Sequence, residues 1–148
     1  MCIRDRVMRL CREQLEEGIL CIHRHPLRAA SWMEECAATR LACKGVGRVH
    51  ADQCEYSLEV LHGADKGAPL KKPIGFMRNG PEILEVPSHV CTGRNGICSR
   101  RQTCSHPVCS GRVAREAARC TPTLCSAMLN VVSEELKSRG IINDGEIG

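Results

Sequence analysis

Residues 88–112 read SHVCTGRNGICSRRQTCSHPVCSGR. Between His89 and Cys109 stand four of the chain's twelve cysteines and two of its six histidines, interleaved with arginines. Almost nothing there can pack a core, and such a segment is held by a metal or by crosslinks. Cys91, Cys98, Cys104, His106 and Cys109 follow the pattern C-x6-C-x5-C-x-H-x2-C, with His89 nearby. Zinc takes about four thiolate or imidazole ligands in a tetrahedron, which makes Cys91, Cys98, His106 and Cys109 the candidate zinc ligands. Paired C-x2-C knuckles, the stronger signature, are absent; free thiols and disulfides are the competing readings.

Outward from this loop, the rest of the chain offers thin core material. Its 148 residues suit one domain, but the 43% hydrophobic content leans on alanine and cysteine, and the aromatics are Trp32, Tyr56 and Phe76. A marginal fold is expected, as of a fragment or a drifted copy. Cys11, Cys21, Cys36 and Cys125 sit among apolar neighbours and read as small hydrophobes. With no secretory apolar segment and no run long enough to span a bilayer, a reduced intracellular setting without membrane contact is expected. A formal charge of +4 permits nucleic-acid contact without demanding it. No dinucleotide fingerprint, P-loop, nucleophile elbow or H-E-x-x-H is present, so an enzyme complete in this chain is not expected.

Taken in order, residues 1–6, MCIRDR, resemble the translated transposon end used to fragment DNA for sequencing, and they are set aside as an artefact. The domain is expected over 7–140 with a tail or linker at 141–148. Residues 7–17 read as a helix stopped by Gly18, and the apolar run 19–22 as a buried parallel strand ending at Pro26. Ser31 with Glu34 forms a candidate capping box for a helix that turns Trp32, Cys36 and Leu41 inward. Residues 46–53, 56–62 and 73–78 read as strands, 63–69 as a turn, and 81–86 as at most a short helix. Residues 112–119 give a helical turn or two. Thr121 and Pro122 then open the longest helix, to Arg139, with an apolar stripe at Leu124, Met128, Val131, Val132 and Leu136.

Smaller constellations carry weaker signals. His23 and His25, two apart in an extended segment, point to one side and could serve a ligand or merely cover a strand end. Cys54 after Asp52 and Gln53 is a lone thiol with no base placed beside it by sequence. Lys71, Lys72 and Arg78 are candidate phosphate contacts or simply solvated charges.

The ordered set HRHPLRAASW (23–32), ADQCEYS (51–57), KKPIGFMRN (71–79), CTGRNGICSRR (91–101) and HPVCSGRVAREAARCTPTLCSAML (106–129) resembles a segment of copia-type retroelement polyproteins of unicellular algae. There the pattern runs HEHP..A.SW, DQC.FG, KPT.F.TN, a loop with C, H and C, and AR.AA.YP..LC.AI. The likeness spans about residues 8–140 and is carried by His23, His25, Pro26, Trp32, Asp52, Gln53, Cys54, Lys72, Pro73 and Asn79. In that family a PPC-containing segment lies upstream and is reminiscent of the catalytic loop of cytosine DNA methyltransferases, which implies by fold-level analogy a Rossmann-like sheet. Here Arg24 stands where the family has glutamate, Ser57 where it has glycine, Ile74 where it has threonine, and Arg119 to Thr121 also depart. The resemblance thus implies a fragment without activity of its own, with S-adenosylmethionine relevant only to a complete parent domain.

The expected fold is α/β: an incomplete Rossmann-like sheet with flanking helices and a Cys-rich loop before a long C-terminal helix. Three functional expectations follow. The first is an inactive methyltransferase-like fragment, partnered by the remainder of a polyprotein. The second is a zinc-stabilised module for nucleic acid (DNA or RNA) or protein, using Arg94, Arg100, Arg101, Arg112 and Arg115. The third is a drifted product with no stable fold.

Overall fold

A computed structural model of the chain describes residues 3–80, 88–102 and 104–143. The central strand, β3 (Pro73–Asn79), lies between β1 (Ile22–Pro26) and β2 (Val46–Asp52) in one three-stranded sheet. Both pairings are antiparallel: Arg78 stands opposite Ile22 on one side and Gly47 on the other. Because side chains alternate along a strand, β3 serves two cores. Ile74 and Phe76, fully buried, pack with Ala51, Tyr56 and Leu124, the last from helix α4 (Pro122–Ser138). Met77, on the other face, packs with Met8 and Cys11 of helix α1 (Ile3–Glu16), with Cys21 and Trp32, and with Ala37 of helix α2 (Glu35–Leu41). A Cβ added to Gly75 would lie 3.0 Å from the Trp32 ring, so glycine lets the indole lie against the middle of the sheet.

The α/β class stands, but the parallel order of a Rossmann-like sheet is not found among the described strands. The apolar run 19–22 is not the strand; only Ile22 belongs to it, and the ladder runs through His23, Arg24 and His25. At the sheet edge β1 pairs on one side alone, so Pro26, which has no N–H to give a ladder, is tolerated at its last position. The preceding residues are tied instead by the Asn79 side chain, whose Oδ1 accepts from Cys21 N at 2.6 Å while its Nδ2 donates to Ile19 O at 2.8 Å. The capping box also fails: a 3-10 turn over Ala30–Met33 precedes α2, and the Ser31 hydroxyl meets His25 Nε2 at 2.6 Å. The strand expected over 56–62 is a 3-10 turn, Gln53–Tyr56, followed by an extended segment. There Leu70 N donates to Leu58 O and Val60 N to Ala68 O, and Leu58 and Val60 are buried. The candidate helix over 81–86 lies outside the described residues.

Helix α1 begins at Ile3, four residues before the expected 7–17, and α3 (Gly111–Glu116) falls near the expected 112–119. In α4 Leu124 is buried, while Met128, Val131, Val132 and Leu136 are half-buried. Cys11 and Cys21 are buried, but Cys125 is exposed rather than part of a core. No helix among the described residues is long and apolar enough to cross a membrane.

The start of α4 fixes its place on the sheet. Thr121 Oγ1 accepts from Leu124 N at 3.2 Å and donates to Tyr56 O at 2.5 Å, both buried. Thr121→Ala removes the cap and orphans a buried carbonyl, and is expected to cost about 1–3 kcal/mol in urea denaturation, with Thr121→Ser retaining most of the stability.

Candidate metal centre

The Cys-rich loop is organised by a tight turn. Asn95 and Gly96 both take positive φ, 53° and 80°, the two-residue conformation that an Asn-Gly pair favours. Ile97 N donates to Arg94 O at 3.0 Å across it. A side chain at Gly93 would overlap the Ile97 carbonyl, so only glycine fits where the chain folds back. The return leg pairs Cys98 N with Cys104 O at 2.9 Å and His106 N with Gly96 O at 2.8 Å. Cys91, Cys98 and His106 are thereby gathered on one side of the loop.

The fourth donor comes from elsewhere. Cys54, in the 3-10 turn that follows β2, brings its thiol into the same space, so that ligand atoms of Cys54, Cys91, Cys98 and His106 all lie within 4.8 Å of one another. The three thiol residues are buried, two of them completely. Cys91 Sγ stands 3.7 Å from His106 Nε2. Tetrahedral ligands at zinc distances stand about 3.5–3.8 Å apart, so a modest contraction closes the set.

Neighbouring groups hold the loop on the sheet. The buried Asp52 carboxylate accepts from Cys91 N at 3.0 Å and faces Lys71 Nζ at 3.4 Å, and Lys71 also donates to Cys91 O. Asp52 N donates to His89 O at 3.0 Å, His89 N donates to the Tyr56 hydroxyl at 3.2 Å, and the Tyr56 and His89 rings stack 5.6 Å apart. Ser99 N donates to Cys91 Sγ at 3.4 Å, and the Ser99 hydroxyl stands 3.2 Å from that sulfur and 2.7 Å from Glu55 Oε1. Groups of this kind orient metal ligands. Burial pushes the Cys54 thiol pKa up, and the adjacent Cys98 and Cys91 push it further. Burial also raises Cys91, but hydrogen bonds from Ser99, Gly93 and Cys54 outweigh it and hold that thiol below its ordinary value. A cation is what lets several such crowded thiols ionise together.

Three of the four expected ligands thus meet, and one does not. Cys109 lies away from the cluster, half-buried against Leu58, Val60, Leu70 and Ala117. Spacing within one loop could not reveal Cys54, because the contact that brings it in is tertiary. Cys104 is half-buried and outside the set.

The arginines divide. Arg100 Nε donates to Cys54 O at 2.6 Å and its guanidinium grips Glu59 at 3.0 Å, while Arg101 meets Glu59 at 3.8 Å and donates to Gly67 O. Arg100, half-buried, braces the loop, whereas Arg101 is exposed and its ion pair is loose. Arg112 pairs with Glu116 at 2.8 Å; Arg94 and Arg115 are exposed. Of the remaining family-like positions, Gln53 is fully buried with no hydrogen-bond partner for its side chain among the described residues. Lys72 Nζ donates to Ala117 O at 2.8 Å, and the Arg24 guanidinium donates to Ala118 O at 3.3 Å, just past the C-terminal end of α3. Cations belong at that end of a helix. Arg24 therefore has a structural task, holding the chain beyond α3 to the sheet.

No known protein family, curated protein or solved structure matches the chain.

Proposed function

We propose that Cys54, Cys91, Cys98 and His106 bind a structural zinc ion, and that the chain acts as a zinc-stabilised binding module. The observation that carries this is the gathering of three buried thiols and a half-buried imidazole with their ligand atoms within 4.8 Å of one another. Four protein donors fill a tetrahedron, whereas catalytic zinc keeps a position for water or substrate. A closed centre supplies crosslinking, and crosslinking is what a chain with three aromatic residues lacks. The braced loop presents Arg94 at its turn, with Arg115 exposed beyond it, and nucleic-acid phosphate is the partner such cations suit. No feature of the described residues favours the methyltransferase-like alternative.

The test is metal content of the chain purified under reducing conditions. About one zinc per chain is expected, with thiolate absorption on replacement by cobalt and a fall in melting temperature on chelation. Because thiolate and neutral imidazole are the binding forms, zinc affinity is expected to weaken as pH falls. Protein that carries no metal and melts unchanged with chelator would falsify the assignment. Salt-sensitive binding of nucleic acid, weakened by Arg94→Gln with Arg115→Gln, tests the partner.

A further inference from the structure

On the face of the sheet opposite α4 lies a second constellation, independent of the metal. His23 and His25 project from β1 with ring centroids 5.8 Å apart and planes within 23° of parallel. Each meets Trp32 edge-on, at 5.8 and 5.7 Å. These three rings, with Met8 and Glu34, line a cavity of about 190 Å³. Its walls are fixed: Trp32 Nε1 donates to Pro26 O at 2.8 Å, the Arg48 guanidinium sits 4.3 Å from the indole ring, and Ser31 holds His25. Burial, with the neighbouring His25, lowers the pKa of His23 and favours the neutral ring. A dry cavity of about 150 Å³ is enough to take benzene, so this one accommodates a planar ring.

Across Met8 and Cys36 the cavity adjoins a hollow of about 250 Å³ lined by Arg9, Arg12 and Arg40. Arg40 Nε is buried there and has no hydrogen-bond partner among the described residues. Among the described residues, Arg9 and Arg12 form half-exposed pairs at 3.7 and 3.6 Å with Glu13 and Glu16, which cost little to exchange. Met8 and Cys36 line both hollows, so an aromatic wall and three guanidinium groups stand side by side, a pairing complementary to a flat base joined to a phosphate.

We propose that the two hollows together form a nucleotide-binding site, with the base laid against the wall formed by His23, His25 and Trp32 and the phosphate met by Arg9, Arg12 and Arg40. A free mononucleotide and an unstacked nucleotide of a single strand offer the same chemistry.

Trp32 is the chain's single tryptophan, so occupancy reads directly as quenching of its fluorescence. The protein as purified is titrated with AMP and CMP, the matching nucleosides, inorganic phosphate and a short single-stranded oligonucleotide. Saturable quenching by a nucleotide is expected, about tenfold or more weaker for the nucleoside, and weakened about tenfold by Arg40→Gln. Arg9→Gln, on the exposed face of α1, is the companion should Arg40→Gln unfold, and His23→Ala is expected to remove base stacking. Quenching by mononucleotides supports the site with a free ligand, and quenching by the oligonucleotide alone supports it with a strand-borne one. No saturable response to any nucleotide or oligonucleotide at millimolar concentration overturns it. So does equal affinity for nucleoside and nucleotide, a phosphate response equal to that of the nucleotide, or unchanged affinity in folded arginine variants.

Discussion

Cys54→Ser is expected to abolish zinc binding, whereas Cys109→Ser is expected to leave about one zinc per chain. Both are single-atom changes at cysteines, but only one side chain belongs to the buried donor cluster. Loss of a structural metal is among the few single-residue effects that exceed about 4 kcal/mol, and most of the apparent stability of a small zinc domain resides in its metal. Cys54→Ser should therefore lose cooperative unfolding or melt far below the parent. Cys109→Ser should show at most the modest cost of altering a half-buried packing contact. Zinc kept in Cys54→Ser and lost in Cys109→Ser would return the fourth position to Cys109, and equal metal content in the two variants would leave the centre unassigned.

Arg78→Met is expected to stabilise the protein by about 1–4 kcal/mol, a sign opposite to that of most buried substitutions. Arg78 lies on the central strand, is 2% exposed, and none of its three guanidinium nitrogens has a partner among the described residues. Burial pushes its pKa down, the mark of a charge paying for its surroundings. Glu135 of α4, also 2% exposed, lies against Gly80, two residues along. Its Oε1 takes Arg139 Nε at 2.7 Å, and its Oε2 has no partner among the described residues. Unpaired buried charge is costly, and methionine fills similar length without it. Urea denaturation decides the matter. If stability falls instead, Arg78 meets an anion in solution, and a double-mutant cycle with Glu135→Gln would show whether that anion is Glu135.

Local chemistry made much of this legible in the sequence. Thr121 followed by Pro122 announced α4, and 46–53 and 73–78 announced β2 and β3, because caps and two-residue periodicity act over a few positions. Strand direction was not legible, since pairing is settled by partners far along the chain. The run 19–22 misled because continuous apolar residues suit a doubly covered strand, while the actual β1 carries His23 and His25 toward Trp32 and keeps an open edge. At the metal centre, the loop supplied its own three ligands in readable spacing. Cys54 stayed hidden behind the end of β2, and Cys109 drew attention through its H-x2-C spacing although the chain turns it toward Leu58 and Val60.

The position of the donors also bears on how the chain folds. Cys54 and Cys91 flank the segment that contains β3, so a bound ion closes a ring through the middle strand of the sheet. By chain-entropy reasoning for a crosslink, a closure of this length removes about 4 kcal/mol of freedom from the unfolded ensemble. A four-donor site would be complete only once synthesis had passed His106, after all three strands of the sheet have been made. A metal-starved chain would then lack that closure around β3 while keeping the strand pairings themselves.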